Sequence, residues 1–234
     1  MGKTCVITGA SQGIGRAAAL RMAREPEITN LVLIARSAAG LHETAAAIDR
    51  EGRSVILIPY DLADLQGIPD LVRRIHDECG SIDLLLNIAG YAEPASLLDT
   101  TGDNIVATFT VNVFAMLTLI REVVRYMQGR PAKILNIAST AGITSRPGWV
   151  AYASSKAAVV SLSRTLADEL AGTGIKVYSI SPGRTATELR RTLAPEEDPD
   201  TIMQPGTVAD VIAMLLSDAE QTMDGQNIIV RQQT

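Results

Sequence analysis

Short runs of apolar, β-branched residues alternate along this chain with longer stretches of helical periodicity, and this alternation constrains the fold most strongly. Most of the short runs, such as Leu31–Ala35, are continuously apolar instead of alternating with polar residues. A strand of that kind is buried on both faces, as in a sheet that helices cover on two sides. Repeated β-α-β units of this type predict an α/β fold, a doubly wound, mostly parallel, seven-stranded sheet of the Rossmann type.

The same patterns give bounds for the individual elements. Strands are predicted at Lys3–Thr8, Leu31–Ala35, Ser54–Pro59, Asp83–Ile88, Ala132–Ala138, Lys176–Ile180 and Asn227–Arg231. Helices are predicted at Gly13–Arg24, Leu41–Arg50, Leu65–Glu78, Gly102–Met127, Ala151–Ala171 and Thr207–Leu216. We expect residues 1–234 to form one domain, because a chain of this length can bury a full core. Residues 183–205 are rich in Pro, Thr, Glu and Arg, and they predict a long loop that serves as a substrate lid.

Composition excludes several classes of partner. The net charge is −5 and no run of five like charges occurs, which argues against a nucleic-acid-binding face. No apolar stretch reaches the 18 or so residues of a membrane span, and the first strand begins too early for a signal peptide, so we expect a cytoplasmic protein that does not enter a membrane. The two cysteines, Cys5 and Cys79, have no second ligand at metal-binding spacing, and no metal site is predicted.

A glycine-rich turn follows the first predicted strand and opens the first predicted helix. Its residues are Thr8, Gly9, Ala10, Ser11, Gln12, Gly13, Ile14 and Gly15. The first glycine allows a tight turn, the second allows close approach of a pyrophosphate, and the third allows close packing of helix on strand. The helix then presents free N–H groups and the positive end of its dipole to the phosphates. The turn therefore predicts a dinucleotide site.

The end of the second predicted strand bears on which dinucleotide binds. A fold that selects NAD usually has an acidic residue here, whereas an arginine accommodates the 2′-phosphate of NADP. This chain has Arg36 followed by Ser37 and no carboxylate, and Arg16 lies close enough in the sequence to assist. The arrangement predicts NADP as the cofactor, with NAD as the alternative.

Further motifs follow in order along the chain. They are Asp61-Leu62 after the third strand, Asn87-Ile88-Ala89-Gly90 after the fourth, Asn112 in the long helix, Ser139 after the fifth strand, Tyr152-Ala153-Ser154-Ser155-Lys156 and Pro182-Gly183. With the glycine-rich turn, this set resembles the short-chain dehydrogenase/reductase family, in its compact single-domain branch that includes ketoreductases of the 3-oxoacyl-carrier-protein type. The resemblance covers nearly the whole chain. It departs at Ile88, where the family has a second Asn, and in a short C-terminal tail.

The resemblance implies a role for each matching residue. Asn112, Ser139, Tyr152 and Lys156 would be catalytic, with Asn112 holding a water that connects Lys156 to solvent. Cofactor contacts would come from the following residues: Gly9, Ser11, Gln12, Gly13, Ile14, Gly15, Arg36, Ser37, Asp61, Leu62, Asn87, Ala89, Gly90, Tyr152, Lys156, Pro182, Gly183, Thr185 and Thr187.

Elementary chemistry agrees with the assignment of Tyr152 and Lys156. Residues four apart share one face of a helix, so the two side chains point the same way. A tyrosine has a pKa of about 10, which a nearby ammonium and an oxidised nicotinamide would lower. Tyr152 can then protonate a forming alkoxide or deprotonate an alcohol, while Ser139 stabilises charge on the substrate oxygen.

The function predicted from these features is an NADP(H)-dependent oxidoreductase acting on a carbonyl or secondary alcohol, most simply a ketoreductase. The substrate is a small molecule; 3-oxoacyl thioesters, small ketones and keto sugars all fit. Alternatives are an NAD-linked alcohol or polyol dehydrogenase and, from another class, a non-catalytic dinucleotide-binding sensor or assembly protein. Ile143, Pro147, Trp149 and Val150 suggest an apolar wall of the pocket. Arg184 suits an acidic substrate or a solvated loop equally. The long helices favour a homodimer, and the short tail leaves the homotetramer open.

Overall fold

A computed structural model describes residues 2–48 and 53–232 as an α/β fold built on one seven-stranded sheet. Its strands are β1 (Lys3–Thr8), β2 (Ile28–Ala35), β3 (Ser54–Pro59), β4 (Leu84–Asn87), β5 (Ala132–Ile137), β6 (Ile175–Pro182) and β7 (Asn227–Val230). They lie in the order β3-β2-β1-β4-β5-β6-β7, and each neighbouring pair is parallel. The predicted Rossmann-type sheet is confirmed.

Helices cover both faces of the sheet. They are α1 (Gly13–Met22), α2 (Ala38–Ala46), α3 (Ile68–Cys79), α4 (Gly102–Phe109), α5 (Ala115–Met127), α6 (Val150–Glu169), α7 (Glu188–Leu193) and α8 (Pro205–Leu216). A single π-helical segment, Thr110–Phe114, joins α4 to α5, so the predicted long helix has one irregular turn. Helix α2 begins earlier than predicted, because the Ser37 hydroxyl accepts the Gly40 N–H and caps it. The predicted end of that helix, residues 49 and 50, lies outside the described residues.

Two aliphatic clusters fill the space between sheet and helices. One lies under α1, α2 and α8 and includes Ala18, Leu41 and Ile212. The other lies under α3, α5 and α6 and includes Leu119 and Val159. Aromatic residues make up only 3% of the chain, so branched aliphatic side chains supply most of the buried apolar surface. The covered faces explain why the strands are continuously apolar.

The stretch Gly102–Met127 is an exception to the expectation that no apolar segment reaches the length of a membrane span. By length and composition alone, this one stretch within the described residues would suffice, with 26 residues and a mean hydropathy of 1.5. In the fold one face of this stretch packs into the second cluster through Ala115, Leu119 and Val123, and 39% of its most apolar window is buried. Core helices of soluble proteins meet the same criteria.

The strand order determines where a ligand can bind. The chain runs from β1 outward to β3, then crosses back to place β4 on the other side of β1. In open α/β sheets the crevice at such a reversal, beyond the carboxyl ends of the strands, is the usual ligand site. The residues that follow β1, β2, β4, β5 and β6 all meet at this edge.

Candidate active site

A cavity of about 680 Å³ opens at the carboxyl edge of the sheet. It brings together nearly all the predicted site residues: Gly9, Ser11, Gln12, Gly13, Ile14, Gly15, Arg36, Ser37, Asp61, Leu62, Ala89, Gly90, Ser139, Tyr152, Lys156, Pro182, Gly183, Thr185 and Thr187. Two predicted residues, Asn87 and Asn112, do not line it. The volume falls within the range of small-molecule and cofactor sites.

The glycine-rich turn is shaped by close backbone contacts. Gly9 has a φ of +69°, and a Cβ there would lie 2.9 Å from the backbone N of Ala89. A Cβ on Gly15 would lie 2.1 Å from the Gly9 carbonyl oxygen. Any residue other than glycine at this position would therefore force helix α1 away from the turn. The Gln12 side chain makes no capping hydrogen bond to α1. The first N–H groups of that helix therefore remain available to an anion such as a pyrophosphate.

At the end of β2, Arg36 is the cation available to a 2′-phosphate. It is exposed, lines the cavity, and has no hydrogen bond or ion pair with any residue in 2–48 or 53–232. The Ser37 hydroxyl accepts the Gly40 N–H at 3.0 Å, which leaves its own proton free to donate. The suggestion that Arg16 assists is wrong, because that guanidinium contacts Thr44 at 3.1 Å and Glu43 at 2.6 Å, outside the cavity.

The segment after β3 forms the far end of the cavity. One carboxylate oxygen of Asp61 accepts the Ala63 N–H at 3.0 Å and orders the turn that presents this acid. Leu62 is almost fully buried beside it. Tyr60 also lines the cavity and was not predicted, although its place just before Asp61 in the sequence could have indicated it. Its hydroxyl donates to the Asp64 carbonyl oxygen at 2.5 Å, and burial, followed by the Asp64 contact, raises the pKa of Tyr60 to about 12.

Tyr152 and Lys156 lie in the first turns of α6, and Ser139 follows β5 opposite them. The Ser139 hydroxyl acts to lower the pKa of Tyr152, and its Oγ accepts the Ala141 N–H at 3.1 Å. The Lys156 ammonium donates to the Ile137 carbonyl oxygen at 2.8 Å. Both side chains on α6 are buried at the cavity wall, with exposed fractions of 6% for Tyr152 and 2% for Lys156.

The electrostatics of this pair differ from the sequence-based expectation. Burial raises the pKa of Tyr152, while the Ser139 hydrogen bond and the charge of Arg190 act in the opposite direction. Burial also lowers the pKa of Lys156 to about 8. The expected lowering of the tyrosine pKa by Lys156 is therefore not found in the free protein, where desolvation dominates. Arg190, from helix α7, is the cation whose charge acts to lower the pKa of Tyr152.

The two asparagines outside the cavity brace its floor. Asn112 donates to the Tyr91 carbonyl oxygen and to the Ser155 hydroxyl, both at 2.9 Å, and accepts the Tyr91 N–H at 2.8 Å. It thereby ties the segment after β4 to α6. The Asn87 amide donates to Asn136 at 2.8 Å and links β4 to β5 below the cavity. A cofactor contact by the Asn87 side chain has no support in this position, and the water relay through Asn112 stays a prediction.

The comparisons with known proteins agree with this geometry. The family model described as short chain dehydrogenase matches residues 3–198. The chain belongs to the short chain dehydrogenase family. It is 33% identical to the 3-oxoacyl-[acyl-carrier-protein] reductase of Thermotoga maritima over 97% of this chain and 95% of the relative. The predicted family membership is confirmed, and with it the general class, an oxidoreductase that binds a nicotinamide dinucleotide.

Two solved structures show how closely the fold is shared. A short chain dehydrogenase from Burkholderia cenocepacia in complex with NADP has a TM-score of 0.89 and 28% identity, covering 99% of this chain and 97% of that one. A 3-ketoacyl-(acyl-carrier-protein) reductase from Brucella melitensis complexed with NADH has a TM-score of 0.89 and 27% identity, covering 98% and 96%. Short chain dehydrogenases of this shape thus hold either cofactor, and the choice depends on local residues.

The segment after β6, residues 183–205, is more structured than the predicted loop. Thr187 caps α7 by accepting the Arg190 N–H at 3.1 Å. The two ends of the segment pair through Ala186 N–H to Met203 O at 2.8 Å and Met203 N–H to Arg184 O at 3.2 Å. Thr187 also lies over the glycine-rich turn, because a Cβ on Gly13 would be 3.1 Å from its Cγ2. The predicted long loop therefore contains a short helix, α7, and internal hydrogen bonds and ion pairs order the segment.

The predicted apolar wall of the pocket also differs from the observed one. Of the four residues proposed for it, only Trp149 lines the cavity; Ile143 and Val150 are exposed at 41% and 44%. The apolar surface around Tyr152 comes instead from Trp149, Leu189 and Leu193. The Trp149 and Tyr152 rings meet edge to face with centroids 6.3 Å apart. The sequence analysis missed Leu189 and Leu193 because no sequence signal indicated that helix α7 folds back over α6.

We predict that Lys156→Met raises the thermal stability of the free protein while removing its activity. The pKa of Lys156 is lowered from 10.5 to about 8, so folding disfavours the charged form, and the penalty is fully present at pH 7. Relief of the penalty is worth about 1–3 kcal/mol, or a few degrees in Tm. Calorimetry at pH 7 measures the gain.

The pH dependence provides the control for this prediction. Between about pH 8 and pH 10.5 the unfolded chain holds a proton that folded Lys156 has lost. The free energy of unfolding of wild type therefore rises relative to that of the variant as pH increases through this window. Lys176→Met removes a lysine that lies outside the cavity and hydrogen-bonds the Gln221 side chain at 3.4 Å, and we expect its Tm to stay within about one degree of wild type. A Lys156→Met protein that melts lower than wild type at pH 7 would contradict the account.

Proposed function

We propose that this chain is an NADPH-dependent ketoreductase, in which Tyr152 is the general acid. The observation that carries the proposal is that the cavity is lined by Ser139, Tyr152 and the buried Lys156 ammonium together. A carbonyl oxygen placed between the two hydroxyls would accept a hydrogen bond from each.

Ser139, Tyr152 and Lys156 each have a different role in carbonyl reduction. The bound nicotinamide supplies the hydride. Ser139 donates a hydrogen bond to the substrate oxygen and stabilises the negative charge that develops there. Tyr152 gives its phenolic proton to the same oxygen, and its raised pKa keeps that proton in place at neutral pH. Lys156 holds a positive charge next to the phenolate that is left, at 5.9 Å from the ring centroid.

The proposed preference for NADP rests on Arg36. Its unpaired guanidinium and the free proton of Ser37 offer charge-assisted hydrogen bonds to a 2′-phosphate, and no carboxylate stands at the end of β2 to accept ribose hydroxyls. We predict that Arg36→Ala weakens NADPH binding by about 10- to 100-fold, because a hydrogen bond to a charged group is worth about 1.5–3 kcal/mol. NADH binding should change by less than about twofold. Fluorescence titration of both cofactors measures the ratio.

A matched control removes an arginine elsewhere on the surface. Arg74 on α3 forms an ion pair with Glu78 at 4.0 Å and does not line the cavity, so Arg74→Ala changes the net charge equally without altering the cavity lining. We expect its ratio of NADPH to NADH affinity to equal that of wild type. If wild type prefers NADH, or if Arg36→Ala weakens both cofactors alike, the alternative of an NAD-linked alcohol or polyol dehydrogenase takes its place.

A non-catalytic dinucleotide-binding protein is the alternative from another class. It is disfavoured because the Ser139, Tyr152 and Lys156 side chains are all present and are brought to one wall of the cavity. A broad panel of carbonyl substrates, assayed by loss of NADPH absorbance, separates the two. Cofactor binding without turnover of any member of the panel would favour the sensor or assembly role.

Two further features belong to the proposal. Residues 183–205 act as a substrate lid on a single domain, supported by the contact of Thr187 with the glycine-rich turn. The chain forms a homodimer through the exposed apolar side of its long helices, supported by Val106, Phe114 and Leu117 with exposed fractions of 63%, 49% and 45%. Sedimentation of the full chain distinguishes this dimer from a homotetramer.

A further inference from the structure

The end of the cavity next to Tyr152 is lined by three arginines. They are Arg146, from the loop before α6, and Arg184 and Arg190, from the lid. Among the described residues, the acidic side chain that lines this end is Glu188, which forms an ion pair with Arg191 at 3.1 Å. A neutral ketone has no negatively charged group that these three arginines could bind.

Arg190 is the most constrained of the three. Its Nε and Nη2 donate to the two carboxylate oxygens of Glu197 at 2.5 and 2.9 Å. The guanidinium carbon also lies 5.6 Å from the centre of the Trp149 ring. A guanidinium has five N–H donors, so this pairing uses one edge of the fork and leaves the edge that contains Nη1 free. The side chain is therefore held rigid with unused donors at the cavity.

The pairing with Glu197 does not cancel the positive charge of the lid. Arg184 donates to the same carboxylate at 3.2 Å, so one acid serves two guanidinium groups. Hydrogen bonds from Arg190 lower the pKa of Glu197, which stays ionised and leaves one net positive charge in the trio. Arg146 makes a single weak contact, to the Ser145 carbonyl oxygen at 3.2 Å. Two positive charges thus remain for a ligand.

We propose that the substrate is a small oxo acid, whose carboxylate is bound by the free edge of Arg190 while its carbonyl meets Ser139 and Tyr152. This inference rests on the proposed ketoreductase function. Trp149 packs edge to face against Tyr152 and lies under Arg190, so acid and reacting carbonyl are separated by little more than one aromatic side chain. A 3-oxo acid, with its carboxylate carbon two bonds from the carbonyl carbon, is the compact member of this class and serves as the test compound.

Acetoacetate and methyl acetoacetate are the probes, because they share the carbonyl and differ in charge. We expect wild type to reduce acetoacetate with a kcat/KM at least tenfold above that of the ester. Arg190→Met should lower the ratio of acid to ester by about 10- to 100-fold, the range for a charge-assisted bidentate contact. Any general effect of the substitution on Tyr152 acts on both substrates, so the ratio isolates the carboxylate contact.

Two further variants separate charge from geometry. Arg190→Lys keeps the charge but loses the planar fork, and we expect an intermediate ratio. Arg74→Met removes an arginine of α3 that pairs with Glu78 and does not line the cavity, and its ratio should match that of wild type. The two methionine variants therefore change the net charge equally and differ in whether the lost arginine lines the cavity.

Binding can be followed without turnover. Trp149 is the single tryptophan of the chain, so its fluorescence reports on the face under Arg190. NADP⁺ and acetoacetate cannot react together because both are oxidised. Titration of that mixture should give a saturable change in emission, with an apparent Kd that rises at least tenfold in Arg190→Met and that the ester does not reproduce.

The outcomes distinguish this inference from the function beneath it. Turnover of acid and ester with equal efficiency, or a ratio that Arg190→Met leaves unchanged, would overturn the acid site and leave the ketoreductase intact. Saturable, Arg190-dependent binding of acetoacetate without turnover of either probe would retain the acid site and count against the ketoreductase. Absence of both binding and acid preference would overturn the inference outright.

Discussion

Tyr152→Phe should lower kcat for carbonyl reduction by about 10²–10⁴-fold, the usual contribution of a positioned general acid. The substitution removes one oxygen and leaves the ring that packs against Trp149. Within the described residues the Ser139 hydroxyl makes no hydrogen bond to another titratable side chain, so nothing there replaces the lost acid. Steady-state assay with NADPH and the best carbonyl of the panel measures the loss.

The control for this experiment is another tyrosine. Tyr126 stacks on His76 with ring centroids 4.3 Å apart and does not line the cavity, so Tyr126→Phe should retain activity within about twofold. Cofactor affinity should be unchanged in both variants. Turnover by Tyr152→Phe at the wild-type rate would remove Tyr152 from the mechanism and leave Ser139 without its partner.

The second large effect concerns stability at the opposite edge of the sheet. There Lys133 donates to the carbonyl oxygens of Leu215, Ser217 and Glu220 at 3.1, 2.7 and 3.2 Å, which satisfies the end of α8. The Glu220 carboxylate accepts the hydroxyl of buried Tyr178 and lies 3.8 Å from the lysine ammonium. Lys133 and Glu220 are each at most 9% exposed. This group holds the chain after α8 against β5 and β6.

We predict that Glu220→Ala destabilises the fold by about 3–5 kcal/mol, because it leaves a buried ammonium without its counter-charge. For a chain of this size that is a fall in Tm of roughly 6–20 °C. The control is Asp218→Ala, two residues away. That acid also pairs with a lysine, at 2.7 Å, but is 79% exposed, and such pairs are worth about 0–1 kcal/mol. Equal melting of the two variants would contradict the account.

The dependence of stability on pH in the acid range is a second test of the role of Glu220. Burial raises the pKa of Glu220, but hydrogen bonds from Tyr178 and from the Met223 and Thr222 N–H groups outweigh it, so its pKa is lowered. A lowered carboxyl pKa stabilises the fold above the ordinary value of 4.5, and this contribution is lost as pH falls through the folded pKa. Wild type and Glu220→Ala should therefore converge in stability below about pH 4.5.

Local sequence was sufficient to predict the features that depend on local geometry. The continuous apolar runs indicated the sheet, because burial on both faces leaves no other pattern, and the spacing of Gly9, Gly13 and Gly15 indicated the phosphate turn. Features that depend on distant contacts were missed. Arg190 reaches the cavity only because α7 folds back over α6, and Arg16 faces Glu43 instead of the cavity because α2 begins at Ala38.

The most direct test of the central claim is the path of the hydride. NADPH deuterated on the transferable face of C4 should be incubated with the protein and a carbonyl substrate, and the product alcohol examined by mass spectrometry. The account predicts one deuterium on the carbinol carbon per cofactor oxidised, and almost none when Tyr152→Phe replaces wild type. Cofactor oxidation without deuterium in the product, or an alcohol formed without label, would contradict it.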